Sequence, residues 1–498
     1  MVVLTKIKRR FYQDSLKLMR ASAEIQEVAG VSQAFAFMAT EINKKTRIRA
    51  HLISAEVREA QADDLILIVE SNDELMAQKA LDEFEMIVTA SGRTERAGDQ
   101  EETAPATFEQ GIAKLAANLA IISVPGPYAA LQTLEALNHG MHVQLFSDNV
   151  SLEEEIALKE FAIKRGLLVM GPDCGTSIIS GIPICFANVV KPGTVGVIGA
   201  SGTGLQEFTV LLDAADCGIT HAIGVGGRDL TEEVGGRSAL FALEMLLGDV
   251  HTKVLAVVSK PPSESAGKRI IEAIKQAKKP AVLCFLGAKA QKLSDEIYIA
   301  GTIEEAAAKT AALVKSQKPD GLTVLFPRQP FPAELEAAIK KLSSGQTRIQ
   351  GLYTGGTLAS EAKYVIAGTD HSVIDLGDDE YTQGSLHPMI DPSNRKAHIM
   401  AAFSDPGVAV LLCDVVLGYG SHIDPAAVLA ENVKEARKQT GANIIVIASV
   451  TGTDQDPQNR TLQETRLIQA GIFVYPSNQY AAETAANVVN TVRSGGES

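Results

Sequence analysis

Of its 498 residues the chain spends none on tryptophan and only 5% on aromatic side chains. That lack by itself excludes nothing. Cysteine is scarce and more informative: there are five, at 174, 185, 217, 284 and 413, far apart and with no Cys-x-x-Cys pair. A zinc site or a redox pair is therefore unsupported, and no metal is expected. Cys185, Cys284 and Cys413 lie in apolar runs and read as inert buried thiols. No apolar run nears the roughly 18 residues needed to span a bilayer. The basic start MVVLTKIKRRFYQDS has no apolar segment behind it. A cytoplasmic chain without membrane partners is expected. Positive charge is also in deficit, with 46 Lys and Arg against 60 Asp and Glu and a net charge of −14. A nucleic-acid backbone needs a basic face, so nucleic acid is not an expected partner. A small anionic substrate is not excluded, because clustered backbone amides bind anions locally.

What is present is length and order. The chain should hold about three domains by length, and 46% hydrophobic content is ordinary for large cores. Residues 1–90 read as a small α+β unit. Its strands are expected at Val31–Met38 and 64–70, with a helix capped by Ser71 and Glu74 in a capping box. Residues 91–107, SGRTERAGDQEETAPAT, read as a linker. From 108 to 190 strands (LAIISVP, MHVQLFS, LLVMGP) alternate with helices, one ending at Gly140 and one opening on a Ser151–Glu154 capping box. That βαβ rhythm predicts a parallel sheet with ligands at the strand C-termini. NVVKPG opens a second α/β unit (191–317), and KSQKPDG with LFPRQPFP leads into a third (322–498).

Residues 195–207, VGVIGASGTGLQE, run from a strand through a small-residue loop into a helix. Thr203 is expected to cap that helix, with Gln206 closing a capping box. Leu205, Phe208, Leu212 and Ala215 would line one face, and Gly218 would end it. Gly199, Gly202 and Gly204 serve either a tight turn or the close approach of an anion to backbone amides. The spacing is not that of a P-loop or a dinucleotide fingerprint. Gly226 and Gly227, in Gly224-Val225-Gly226-Gly227-Arg228-Asp229, follow the next strand. Gly355-Gly356-Thr357 open a helix in the third unit, and Leu417–Ser421 and Thr451–Thr453 follow two more strands. Each alone is an ordinary βα loop; together with Ser201 and Thr203 they point to an anionic ligand between two units.

GPDCGTSII (171–179), KPGTVGVIGASGTGLQE (191–207) and GVGGRD (224–229) resemble the α subunit of succinyl-CoA synthetase. GGTLASEA and HPMIDPSNR in the third unit resemble, more distantly, the carboxyl-terminal domain of the β subunit. The whole arrangement, with Phe11-Tyr12-Gln13-Asp14-Ser15 near the start, is similar to the FdrA proteins, acyl-CoA-synthetase-like chains of purine and allantoin catabolism. The fold implied is α/β and multi-domain: a Rossmann-like CoA-binding unit followed by two flavodoxin-like parallel-sheet ligase units, behind the small α+β unit. The resemblance implies CoA as cofactor on the loops of Val124, Pro125, Ser147, Asp148 and Asn149. It puts Asp173-Cys174 near the active site, and Ser201-Gly202-Thr203 at the helix start that holds the phosphate of a phosphohistidine.

The pattern then breaks. No histidine lies between His251 and His371, where the family carries the phosphohistidine. Ser259-Lys260-Pro261-Pro262 replaces the family's orienting glutamate, and Asp391-Pro392-Ser393-Asn394-Arg395 replaces a glycine-rich turn. No segment is left for an ATP-grasp domain. A relay needs imidazole, carboxylate and nucleotide site together, and all three are gone. Lys260 is either a solvated lysine or a group that binds a substrate anion. Arg395 is expected to fork onto a carboxylate or phosphate with His387 as acid or base, although Asp391 also reads as a plain helix cap. Asp414, in an apolar strand, must be paired. Cys174 reads as packing, His139 and His142 as structural, and His422 as neighbour to a cap. The expected function is a subunit that moves an activated acyl or carbamoyl group with phosphate as substrate, in a homo-oligomer with partner protein subunits. The alternatives are a CoA ligase activated in trans, or a CoA-binding scaffold.

Overall fold

The long β-branched runs become strands. The computed structural model describes residues 2–11, 13, 15–26, 28–40, 44, 55–89, 105, 107–277, 279–368, 370–382 and 386–495. Tyr12, Asp14 and residues 91–104 and 106 of the expected linker lie outside them. The chain divides into two compact units, Met1–Phe108 with Asp379–Leu386, and Glu109–Asp378 with His387–Ser498.

In the first unit β1 (Val2–Lys8), α1 (Ser15–Gln26), β2 (Val31–Met38), β3 (Leu65–Ser71) and α2 (Glu74–Thr89) follow one another. The strands form an antiparallel sheet in the order β1-β3-β2. Every residue of the central strand β3 is buried, and Leu18, Ile25, Leu67 and Phe84 join one core. Strand β1 was not anticipated. Its Val-Val-Leu-Thr-Lys-Ile-Lys reads first as a basic terminus, yet Lys6 and Lys8 both pair with Glu85 on α2. The cap of α2 also differs. Ser71 ends the strand, and Asp73 Oδ1 accepts from Met76 N at 3.0 Å in its place.

The second unit begins with β4 (Leu119–Ile122), α3 (Gly126–Asn138), β5 (His142–Leu145), α4 (Leu152–Ile163) and β6 (Val169–Met170). The three strands are parallel, and Ser151 and Glu154 close the expected capping box on α4. A hairpin, β7 (Thr176–Ile179) and β8 (Ile182–Cys185), turns on Ser180 and Gly181, at φ 51° and 77°. Positive φ at both positions is the signature of a type I′ turn. This hairpin pairs antiparallel with the next sheet, so 176–185 builds the second sheet although the boundary was expected at 190.

That sheet contains β9 (Pro192–Ala200), β10 (Ile219–Gly224), β11 (Val254–Ser259), β12 (Ala281–Phe285), β13 (Gln291–Ser294) and β14 (Ile297–Ala300). Helix α5 (Gly202–Ala214) follows β9, and α6 (Ile303–Val314) follows β14. The last sheet contains β15 (Arg348–Tyr353), β16 (Ser372–Asp375), β17 (Val408–Val416), β18 (Ile445–Thr451) and β19 (Phe473–Tyr475). Helix α7 (Gly356–Ile366) follows β15, and α8 (Asn478–Gly495) follows β19. Stripped of its antiparallel edges, the second sheet runs β14-β12-β11-β9-β10, and the third runs β16-β15-β17-β18-β19. Both are the flavodoxin-like order 2-1-3-4-5, whose ligand crevice lies where the order reverses. In the two sheets that point is the end of β9 beside β11, and the end of β15 beside β17.

Helix α5 departs from its expected form in three ways. Ser201 caps it, accepting from Gly204 N at 3.0 Å, in place of Thr203. It ends at Ala214, with Asp216 in the left-handed region, so Gly218 is not its stop. All of Gly204–Leu212 is buried, more than a single face. The reason is packing on both sides: Phe208 and Leu211 of α5 share one core with Ala307 of α6, Leu358 of α7 and Ala485 of α8. A side chain such as Phe208 stabilises the fold by about 1.5–3 kcal/mol when taken from water into such a core.

Glutamates 207, 304 and 361 are buried in this shared layer. Burial pushes the Glu361 carboxyl up to about 8, with Glu207 and Glu304 adding to the rise and hydrogen bonds from Ile303 and Asn478 opposing it. A raised native pKa means that folding retains a proton which the unfolded chain has released. The contribution is present below the ordinary value of 4.5 and is lost as pH rises toward about 8. Glu361→Gln should remove a stability slope of about 1.4 kcal/mol per pH unit across that window. Urea unfolding of both proteins through the window checks this, and parallel curves would contradict it.

Candidate functional site

Two helices begin against each other. Ser201, the cap of α5, lies with its Oγ 2.5 Å from Oγ1 of Thr357 in the first turn of α7. A Cβ on Gly355 would stand 2.8 Å from Thr203 Oγ1, and one on Gly204 only 2.9 Å from Thr357 Cγ2. The glycines of both loops thus permit the helix starts to touch. Each helix N-terminus carries about half a positive charge together with amides that lack helical acceptors. Two of them at one place make an anion site.

Part of that demand is met internally. Asp414 on β17 accepts from Thr354 N and Gly355 N, both at 2.8 Å, and from Thr354 Oγ1 at 3.1 Å. Arg395 Nη2 donates to the same carboxylate at 2.7 Å, and Nη1 donates to Asp414 O at 2.9 Å. Asp414 is fully buried and Arg395 is 3% exposed. This corrects the role expected of Arg395. Its fork is closed on the chain's own carboxylate, so it holds the Thr354–Gly355 loop and does not reach a ligand. Gly355 N is likewise spoken for. Asp391 caps the short turn Pro392–Asn394 through Ser393 N, as the structural reading had it.

Three ionisable groups stand beside the α7 start. Lys260, exposed at the end of β11, has Nζ 3.7 Å from a Cβ position on Gly356. Asp375, at the end of β16, would collide with the same Cβ. Burial raises its carboxyl above the ordinary range, Asp414 adds to this, and Gly377 N and Lys260 pull it back. His387 Nδ1 accepts from Met389 N at 3.2 Å, which leaves the imidazole proton on Nε2. A Cβ on Gly377 would stand 2.5 Å from that Nε2, 3.0 Å from Thr354 O and 3.2 Å from Asp375 Oδ1, so all three groups border the same glycine. Burial lowers the His387 pKa, with Asp414 opposing, so the ring is neutral near pH 7. Sequence reasoning missed Asp375, although a carboxylate closing a short parallel strand before a glycine is a usable signal. It also missed Thr176, whose Oγ1 lies 3.4 Å from a Cβ position on Gly202 and donates to Phe186 O. The Phe186 ring in turn packs 6.4 Å from that of His387.

The other anticipated residues lie elsewhere. Gly199 packs against Leu205 of α5. Gly226, at φ 86°, backs onto the Gly171–Pro172 backbone, and Gly227 is exposed beside Asp173. The Gly226–Asp229 turn is anchored, not open: Asp229 accepts from Lys159 Nζ at 2.7 Å and from the amides of Ser238 and Ala239. Asp173 is exposed, and its amide donates to Ser147 O. Burial raises the thiol of Cys174 and pushes that of Cys413 up to about 12, which leaves both unreactive. Val124, Pro125, Asp148 and Asn149 are exposed at the C-terminal edge of β4 and β5, with Gly126 packed on the Asp148 and Asn149 carbonyls. Ser147 is buried, its hydroxyl on Ile122 O. The imidazoles of His142 and His422 accept from Leu168 N and Asp424 N, both structural contacts. Among the described residues there is no cluster of three metal-ligating side chains, and no helix long and apolar enough to cross a membrane.

Comparison with known proteins defines the class. A CoA-ligase family model matches residues 352–489, and a CoA-binding domain model matches 190–287. The second match falls on the unit that carries α5, not on 108–190. The succinate–CoA ligase α subunit of Methanothermobacter thermautotrophicus is 26% identical over 209 residues, 41% of this chain and 69% of its own. The protein is therefore acyl-CoA-synthetase-like, with multi-domain α/β architecture. A model for the AllF heavy metal-associated domain matches residues 1–105, and the uncharacterized protein YahF of Escherichia coli is 37% identical across 96% of this chain and 97% of its own. The chain belongs to the FdrA-like family of acyl-CoA-synthetase-like proteins. Solved structures that resemble it include an acetyl-coenzyme A synthetase of Ca. Korarchaeum cryptofilum, with TM-score 0.33 and 16% identity over 76% of this chain and 83% of that one. An ATP citrate lyase of Methanothrix soehngenii gives 0.35 and 14% over 78% and 81%. The heavy-metal name does not suit the residues here. Positions 1–105 contain no cysteine and one histidine, His51, outside the described residues, so the thiolate and imidazole ligands that soft metals most often take are all but missing there.

Removing the Arg395 guanidinium would strand a buried carboxylate. Arg395→Leu should cost about 3–5 kcal/mol of stability, visible in urea unfolding. A variant as stable as the parent that had lost only ligand affinity would contradict this assignment.

Proposed function

We propose that this protein is a group-transfer subunit that holds inorganic phosphate between the α5 and α7 N-termini and moves an acyl or carbamoyl group onto it. The observation that supports this most directly is the meeting of two helix starts beside Lys260, with no histidine on the segment where relatives carry a phosphohistidine. In the carbamoyl case, with oxalurate as substrate, a phosphate oxygen attacks the ureido carbonyl carbon. The bond from that carbon to the oxamate nitrogen breaks as the new carbon–oxygen bond forms. Asp375, with its raised pKa, takes the proton released by phosphate and returns it to the departing nitrogen, while neutral His387 donates a hydrogen bond from Nε2–H and keeps its own proton. Lys260 and the helix starts stabilise the added negative charge. Products are carbamoyl phosphate and oxamate, and atoms balance without nucleotide or metal. Partner subunits complete the assembly, as the α-subunit name of the relatives suggests.

A second reading has one observation behind it. The CoA-binding and CoA-ligase models both match the second unit, so CoA on the exposed edge of Val124, Pro125, Asp148 and Asn149, or against α5, would suit a ligase activated in trans. There His387 would have to replace the missing relay.

Two measurements separate these. Inorganic phosphate should raise the melting temperature of the full chain through mass action, and Lys260→Ala should abolish most of that rise. Incubation with labelled ATP should leave no acid-labile phosphate on the protein. Acid-labile phosphate on His387 would overturn the proposal in favour of the ligase, and stabilisation by CoA but not by phosphate would favour a binding scaffold.

A further inference from the structure

Because the second and third sheets share one strand order, their helices correspond. Helix α5 matches α7, each after the first strand, and α6 matches α8, each after the last. The two site-facing helices open on the same spacing, Gly-Thr-Gly-Leu-Gln-Glu at 202–207 and Gly-Thr-Leu-Ala-Ser-Glu at 356–361. In each, a glutamate lies four residues, one helical turn, beyond the threonine and on the same side of the helix. Neither Glu207 nor Glu361 reaches solvent: they are 2% and 1% exposed.

Their partners are exchanged. Glu207, on α5, accepts from the backbone N of Asn478, the first residue of α8 in the opposite sheet's layer, at 3.0 Å. It also accepts from Thr451 Oγ1, at the end of β18, at 2.6 Å. Glu361, on α7, accepts from the backbone N of Ile303, the first residue of α6, at 2.6 Å, and from Asn478 Nδ2 at 2.8 Å. Each helix that opens on the site therefore sends a carboxyl group across the junction to the start of the other half's last helix. The contact is reciprocal, as in an interface built on a two-fold axis. Burying a carboxyl group in an otherwise apolar layer is unfavourable unless it is hydrogen-bonded, and the cross-junction amides supply those bonds. The Ser201–Thr357 contact alone would leave the two helices free to pivot. A second pair of anchors, one turn further in and crossing in both directions, removes that freedom.

We propose that Glu207 and Glu361 are paired positioning residues which fix the spacing and aim of the α5 and α7 N-termini, so that both address a single anion. This rests on reading the junction as a phosphate site. Neither glutamate contacts the anion; both act through the helices that carry them.

The test uses the full chain and two readouts. In hydrogen–deuterium exchange without ligand, Glu207→Ala and Glu361→Ala should each speed exchange severalfold in the first turns of both α5 and α7, the unaltered helix included. The Gln variants, which keep an acceptor oxygen for the backbone amide, should return toward the parent. Loosening confined to the helix that carries the substitution, or no loosening, overturns the proposal. In a calorimetric titration with inorganic phosphate, each Ala variant should weaken binding roughly tenfold, a change of about 1.4 kcal/mol; unchanged affinity also overturns it. If the parent itself fails to bind phosphate, the anion reading falls, while the exchange result still decides the coupling. Should an Ala variant not fold, Asn478→Ala and Thr451→Val remove one partner from Glu361 and Glu207 in turn, with the same expected readout.

Discussion

Two helix N-termini brought together repel, because each presents partial positive charge and amides without acceptors. In this protein α5 and α7 meet through Ser201 and Thr357, and much of the surrounding chemistry follows from that meeting. Gly204 and Gly355 lack side chains where a Cβ would strike the facing threonine. Asp414 brings a buried carboxylate to the Thr354 and Gly355 amides, and Arg395 holds that carboxylate in place. Asp375 and Lys260 stand at the open side. The arrangement is arginine to carboxylate to amide, with the last positive end left toward solvent at Gly202 and Gly356.

That order explains why the loop motifs differ in use. Ser201–Gly204 and Gly355–Thr357 face each other at the points where two flavodoxin-like sheets reverse their strand order. Gly226–Asp229 has similar composition but a different task. Its Asp229 pairs with buried Lys159 on α4, which ties the first parallel sheet to the second. A glycine-rich loop after a strand is thus a cradle only where its amides have no internal partner.

Much of the fold was legible in the residues. The runs that became β9, β17 and β18 are rich in β-branched residues, and parallel sheets followed from their alternation with helices, while Val31–Met38 shows apolar alternation through Ala34, Ala36 and Met38. The site was less legible, for identifiable reasons. Ser201 and Thr203 are both good caps by residue type, and it is Ser201 that keeps extended backbone just before the helix, with Thr203 inside the first turn. Arg395 and Asp414 were each singled out, but separation along the chain hid that they satisfy each other. Asp375 was overlooked because its strand is four residues long and follows a segment with no strong period. Hairpin β7–β8 was folded into the preceding unit because sequence order does not say which sheet an edge strand joins.

The central claim is that the α5 and α7 starts form one anion site. Anomalous diffraction from crystals of the full chain soaked in selenate tests it most directly, because selenate has the charge and shape of phosphate and a strong selenium signal. The account predicts a dominant peak within hydrogen-bonding distance of the Gly202, Thr203 and Gly356 amides, with Lys260 turned toward it. A dominant peak elsewhere, with none between the two helix starts, would contradict it.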